Sequence, residues 1–149
     1  MKKLDNWESK LSDFIVSRTN TPMAWGKTDC IIFMFDAVEV QTGFDPEVVH
    51  PKYPFRGKYD SPIGGYKLLK EYSGGGLSDM LRIMEEKLEL KKVEKGFAKR
   101  GDPVLINGET LIGGMRNIAG IMFDGKAVTQ GEHGLVYYLR KDIVRAWTL

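Results

Sequence analysis

A chain of 149 residues, 28% charged and 42% apolar, has the size and composition of one folded globular domain, expected over residues 1–149; a disordered, collagen-like or disulfide-scaffold protein is excluded. The net charge of +2 is spread over cations such as Lys10, Lys27, Lys52, Lys70, Lys87 and Arg145, so no nucleic-acid partner is expected. The one cysteine, Cys30, cannot close an internal disulfide, and no apolar run reaches membrane-span length, the longest being Cys30 to Phe35.

The first residues, Met1-Lys2-Lys3-Leu4-Asp5-Asn6-Trp7-Glu8, turn acidic and amphipathic where a secretion signal needs an unbroken apolar run; export is expected only through host lysis or within a larger particle. Leu4, Trp7, Leu11, Phe14 and Ile15 recur at helical spacing and predict an amphipathic helix from Asp5 to Arg18, ended by Thr21-Pro22. Thr28 or Asp29 can cap a second helix through Ile31, Ile32, Phe33, Phe35, Ala37 and Val38, stopping at Thr42-Gly43. That helix is apolar on nearly every side of its first turns, which marks it as central and buried.

Pro46, Pro51, Pro54 and Gly57 punctuate an aromatic stretch from Phe44 to Asp60, predicted as a packed irregular loop. A short helix follows over Pro62 to Tyr72. Gly74-Gly75-Gly76 breaks the chain as a cap or hinge, with none of the lysine and hydroxyl chemistry of a phosphate loop. Leu77, Met80, Leu81, Met84 and Leu88 then give a further amphipathic helix, leading into the surface run Lys91-Lys92. Beyond Arg100-Gly101-Asp102 the pattern becomes short β runs: Val104 to Ile106, Thr110 to Ile112, Ile118 to Phe123, Ala127 to Thr129 and Leu135 to Tyr138, with hairpin signals at Asn107-Gly108 and Asp124-Gly125. Helices first and strands second predict an α+β domain, its N-terminal helices packed on a C-terminal antiparallel β-meander.

Cys30 is the residue with chemistry to offer. A thiol at a helix N-terminus can be held as thiolate by unpaired N–H groups, and Trp25-Gly26 would set an aromatic wall and a close backbone beside it. The plain alternative is a small core cysteine leading into Ile31-Ile32-Phe33. The histidines are His50, in the proline-rich loop, and His133, in Gly131-Glu132-His133-Gly134; with Cys30 they lack the close-spaced ligand pair of a zinc site, so neither metal nor cofactor is expected.

Trp25-Gly26-Lys27-Thr28-Asp29-Cys30 at the head of an apolar helix resembles the nucleophile segment of the NlpC-type cell-wall cysteine peptidases, a papain-like superfamily. Lys99-Arg100-Gly101-Asp102-Pro103-Val104-Leu105-Ile106 is similar to the strand that opens that family's sheet, and Ile118 to Val128 to its next hairpin, in unpermuted order. With Thr42-Gly43-Phe44-Asp45-Pro46, Arg56-Gly57-Lys58-Tyr59 and Arg145-Ala146-Trp147, the chain also resembles an uncharacterised family encoded in phage and prophage tail modules. The resemblance implies a papain-like fold with Cys30 at the nucleophile position. It also implies a departure: Ile118 stands where the peptidases carry the histidine base, and the third polar position falls near Thr129 or Gln130.

Two readings follow from the resemblance, and a third from the bare composition. The first is a virion protein of the tail tip or baseplate, made in the host cytoplasm, whose degenerate cleft contacts other tail proteins through Trp25, Gly26, Asp29, Tyr53, Phe55 and Tyr59. The second is an active peptidoglycan endopeptidase in which Cys30 attacks a peptide carbonyl, His133 serves as base and N–H groups at the helix start hold the oxyanion. The third is a cytoplasmic binding domain.

Overall fold

The computed structural model describes residues 1–45, 55–108 and 117–149. Helix α1 (Trp7–Arg18) buries Leu11, Phe14 and Ile15, three positions on one helical stripe, and starts two residues after the expected Asp5. Helix α2 (Cys30–Thr42) buries eight side chains on nearly all sides, Ile31 through Phe35 among them, and ends on the left-handed Gly43 (φ 70°). Of its two candidate caps, Asp29 does the capping: its carboxylate accepts from the Ile32 N–H at 3.0 Å. Thr28 instead shapes the preceding turn, its hydroxyl accepting from the Ala24 N–H (2.7 Å) and donating to the Pro22 carbonyl (2.9 Å).

Helix α3 (Pro62–Ser73) has Pro62 in its first turn and Gly74 as a left-handed C-cap, while Gly76 caps helix α4 (Leu77–Lys87), which buries Leu77, Met80, Leu81 and Met84. The triple glycine is thus two caps back to back. Helix α1 packs on α2, α2 on the sheet, and α4 on both α3 and the sheet.

The sheet has six strands, β1 (Lys91–Val93), β2 (Pro103–Asn107), β3 (Asn117–Phe123), β4 (Lys126–Gln130), β5 (Leu135–Tyr138) and β6 (Ile143–Thr148), in the order β1-β6-β2-β3-β4-β5, with every pairing antiparallel. Strands β2 to β5 form the expected meander. The last strand returns to lie between β1 and β2, so the sheet as a whole is not a simple meander. Lys91 and Lys92 are strand residues opposite Thr148 and Trp147, a correction to their expected place on a helix exit. The Asp124-Gly125 hairpin is as expected: Phe123 faces Lys126 and both turn residues have positive φ (51° and 74°). The Asn107-Gly108 signal does not make a two-residue turn, because Asn107 pairs with Asn117 across a longer connection; the expected run Thr110 to Ile112 lies outside the described residues.

Both faces of the central strands are buried, which is why β3 reads as a nearly continuous apolar run rather than an alternating one. Leu105, Ala119, Ile121, Val128 and Trp147 join the helix-side core with Phe33 and Phe35. Val104, Ile106, Ile118, Met122, Ala127 and Ile143 form a second cluster on the opposite face. No described helix is long and apolar enough to cross a membrane.

Candidate active site

The turn that delivers Cys30 is built around one carboxylate. Asp29 is buried (1% exposed) and accepts from the Gly26 N–H (2.7 Å), the Ile32 N–H (3.0 Å) and the Tyr59 hydroxyl (2.5 Å). Gly26 has φ 78°, and a Cβ there would lie 2.1 Å from the Tyr59 carbonyl oxygen; no side chain fits. The Gly57 N–H donates back to the Gly26 carbonyl at 2.8 Å, so two strips of chain far apart in sequence close on each other. Glycine and aspartate are therefore required here by packing and hydrogen bonding alone.

Cys30 opens α2 and remains partly exposed as a residue, but its sulfur is enclosed. Burial, and next the neighbouring Asp29 charge, push the thiol up to about 12, against the opposing pull of the N–H groups of Ala119, Cys30 and Ile31. The helix N-terminus acts in the direction expected of a nucleophile and is outweighed. With a pKa of about 12, thiolate is on the order of one part in 10⁵ at pH 7.

Cys30 lies where the two cores meet: it packs against the helix-side cluster that holds Ala119 and against the second cluster, which holds Ile118, Ile106 and Met122, and the Ala119 N–H is bonded to its sulfur. On β4, Thr129 is buried and donates to the Ala119 carbonyl at 2.6 Å. Gln130 lies opposite Leu135, donates from Nε2 to the carbonyls of Thr21 (2.6 Å) and Gly131 (2.9 Å), and keeps Oε1 buried with no partner among the described residues.

His133 sits in the β4–β5 turn with its side chain 90% exposed, 3.9 Å from Glu132. That turn is bonded to the segment after α1, through Met23 N–H to the Glu132 carbonyl and Leu135 N–H to the Thr19 carbonyl. His133 points to solvent and does not line the niche at Cys30, which corrects its expected role as base. His50 and Tyr53 lie outside the described residues.

The niche above Cys30 is walled by Trp25, Asp29, Tyr59, Pro62, Tyr66 and Leu69, and its free interior of about 10 Å³ matches roughly one water. Trp25 and Tyr59 are brought together as expected. Phe55 is not a contact residue: it is 2% exposed and packs edge-on against Phe35 (5.8 Å) and Tyr72 (5.6 Å). Tyr66 was not anticipated. Its phenol pKa is raised by burial and by the adjacent Cys30. The sequence hint was Gly64-Gly65 just ahead of it, since Gly65 lies against the Tyr59 ring, 3.3 Å from where a Cβ would be, and lets α3 approach. Among the described residues no cluster of His, Cys, Asp or Glu could hold a metal ion.

An α+β domain with a thiol at the head of its central helix is the class of protein these features define. Residues 2–149 match the family described as Domain of unknown function (DUF6950), and the chain belongs to that family. No curated protein and no solved structure matches it.

Proposed function

We propose that this protein is a structural component of a phage tail tip or baseplate, built on a papain-like NlpC-type fold whose hydrolase machinery has decayed. The observation that carries the loss of catalysis is the Cys30 environment: a thiol pushed up to about 12, packed between two apolar clusters, in a niche with room for roughly one water. Nucleophilic attack needs a thiolate and a proton acceptor within hydrogen-bond reach, and a peptide carbonyl needs space to approach. The tail assignment is supported by the resemblance of Trp25 to Cys30, Arg56 to Tyr59 and Arg145 to Trp147 to tail-module proteins. In this reading the Gly26, Asp29 and Tyr59 lock is kept because it holds the loop against the central helix, a need that outlives catalysis.

The test is purification of intact particles from a host carrying the corresponding phage or prophage, followed by quantitative mass spectrometry of tails. A virion component co-purifies at a fixed copy number per tail, and purified protein leaves peptidoglycan uncleaved. A protein found only in the soluble host fraction refutes the tail role; peptide release from the wall that is abolished by Cys30→Ala refutes the decayed site.

A further inference from the structure

The strip of chain that walls the Cys30 niche is held from its outer side by charge. Residues 55–60 run from Phe55, 2% exposed, to Ser61, the N-cap of α3. Between those two roots Gly57, Lys58 and Asp60 are exposed, and no described atom lies within 4 Å of where a Gly57 Cβ would stand. Tyr59 turns inward and closes one side of the niche. Its side chain rests on Gly64 and Gly65 of α3, 3.1 and 3.3 Å from where their Cβ atoms would be, two residues that offer no side chain to interlock with it.

Arg56 is the outer tie. Its guanidinium donates to Asp36 (2.5 Å) and Glu39 (3.3 Å) on α2 and to Asp45 just beyond that helix (2.9 Å), and Asp36 is shared with Arg18 of α1 (2.6 Å). The Arg56 side chain stays 30% exposed and that of Asp36 17%, so dissolved salt reaches the network and weakens it. On its inner side the strip is held by the Gly57 N–H on the Gly26 carbonyl (2.8 Å) and by the Tyr59 hydroxyl on Asp29 (2.5 Å). Both inner bonds go to the turn that delivers Cys30.

We propose that residues 56–60 form a strap, tied down by Arg56, whose release uncovers the Cys30 sulfur without unfolding the domain. Gly57, exposed and left-handed at φ 71°, and the exposed Lys58 and Asp60 give the strip room to lift, while Phe55 and the start of α3 stay seated. Helix α2 is held in place by its own buried residues, Ile31 to Phe35 among them. Lifting Tyr59 leaves Trp25, Pro62, Tyr66 and Leu69 around the sulfur, so the opened niche takes a small, largely apolar molecule. The inference rests on the closed niche at Cys30 and not on a tail role; its failure leaves the decayed site, which wall cleavage tests, where it stood.

The experiment follows the reaction of Cys30 in native protein with dithiodipyridine, a small uncharged aromatic disulfide, alongside hydrogen exchange of the Gly57 amide. The reaction rate should rise several-fold between about 0.05 and 1 M salt, as the ion pairs are screened. Arg56→Gln should raise it roughly tenfold and remove most of the salt response. Tyr59→Phe should raise it and keep the salt response. The paired change Glu39→Gln with Asp45→Asn takes two partners from Arg56, should act in the same direction, and covers the case in which Arg56→Gln misfolds. In Arg56→Gln the Gly57 amide should exchange faster while the Phe33 amide, bonded to the Asp29 carbonyl, is unchanged. The rates should depend on urea far less steeply than global unfolding does, because lifting a strap exposes little surface. A rate unmoved by salt, by Arg56→Gln and by the paired change overturns the proposal, and so do rates that rise only in proportion to global unfolding.

Discussion

Replacing Asp29 tests whether the motif ahead of Cys30 is held by structure. Asp29→Ala removes at once the acceptor of the Gly26 N–H, the Ile32 N–H and the Tyr59 hydroxyl, in a site 1% exposed. Loss of the helix cap costs about 1 kcal/mol, and loss of the acceptor for the two other donors adds about 1–3 kcal/mol each, for roughly 3–7 kcal/mol altogether. Asp29→Asn keeps an oxygen for the Ile32 N–H and an N–H for Tyr59, whose hydroxyl can turn to accept, so chiefly the Gly26 N–H is stranded, at about 1–3 kcal/mol. Urea unfolding followed by tryptophan fluorescence measures both; at about 2 kcal/mol per M, the alanine midpoint falls by roughly 2 M and the asparagine midpoint by about half as much. The asparagine variant should also lower the Cys30 pKa, since the Asp29 charge helps hold it up. An alanine cost below about 1 kcal/mol, or equal costs for the two variants, would refute the three-bond account.

Gly26→Ala and Gly74→Ala have nearly the same φ (78° and 76°), but only at Gly26 does the added Cβ meet a backbone oxygen, so Gly26→Ala should cost at least about 2 kcal/mol more in the same urea assay. The Cys30 thiol binds its proton more tightly folded (about 12) than at its ordinary 9.0, so its contribution is intact below pH 9 and is lost as pH rises from 9 towards 12. The slope is up to about 1.4 kcal/mol per pH unit, and comparison with Cys30→Ala isolates it from other titrating groups. His133→Ala, at a side chain 90% exposed, should change stability by less than about 0.5 kcal/mol and leave thiol chemistry untouched.

Periodicity carried the helices because each buries a stripe or, for α2, its whole surface: Leu11, Phe14 and Ile15 on α1, and Met80 with Met84 on α4, are where spacing puts them. Capping residues carried their ends, down to Gly43 and Gly74. Strands β1 and β6 were hidden for physical reasons. Lys91-Lys92-Val93 is a three-residue edge strand with two exposed lysines, which has no alternation to read. The pairing of Ile143 to Thr148 shifts register within β2, which blurs its period. At the site, Trp25, Gly26, Asp29 and Tyr59 were legible as a group. Phe55 was not: an aromatic in a proline-rich stretch reads as a contact residue, yet the Phe35 and Tyr72 rings enclose it.

The most direct test of the decayed site is the pH dependence of Cys30 alkylation by iodoacetamide, in native and urea-unfolded protein, with His133→Ala alongside. The structure predicts a native rate below the unfolded rate across neutral pH, an inflection near 12, and no response to the His133 change. A native thiol that reacts faster than the unfolded one, with an inflection below 9.0 that shifts in His133→Ala, would contradict the account and restore Cys30 as a nucleophile.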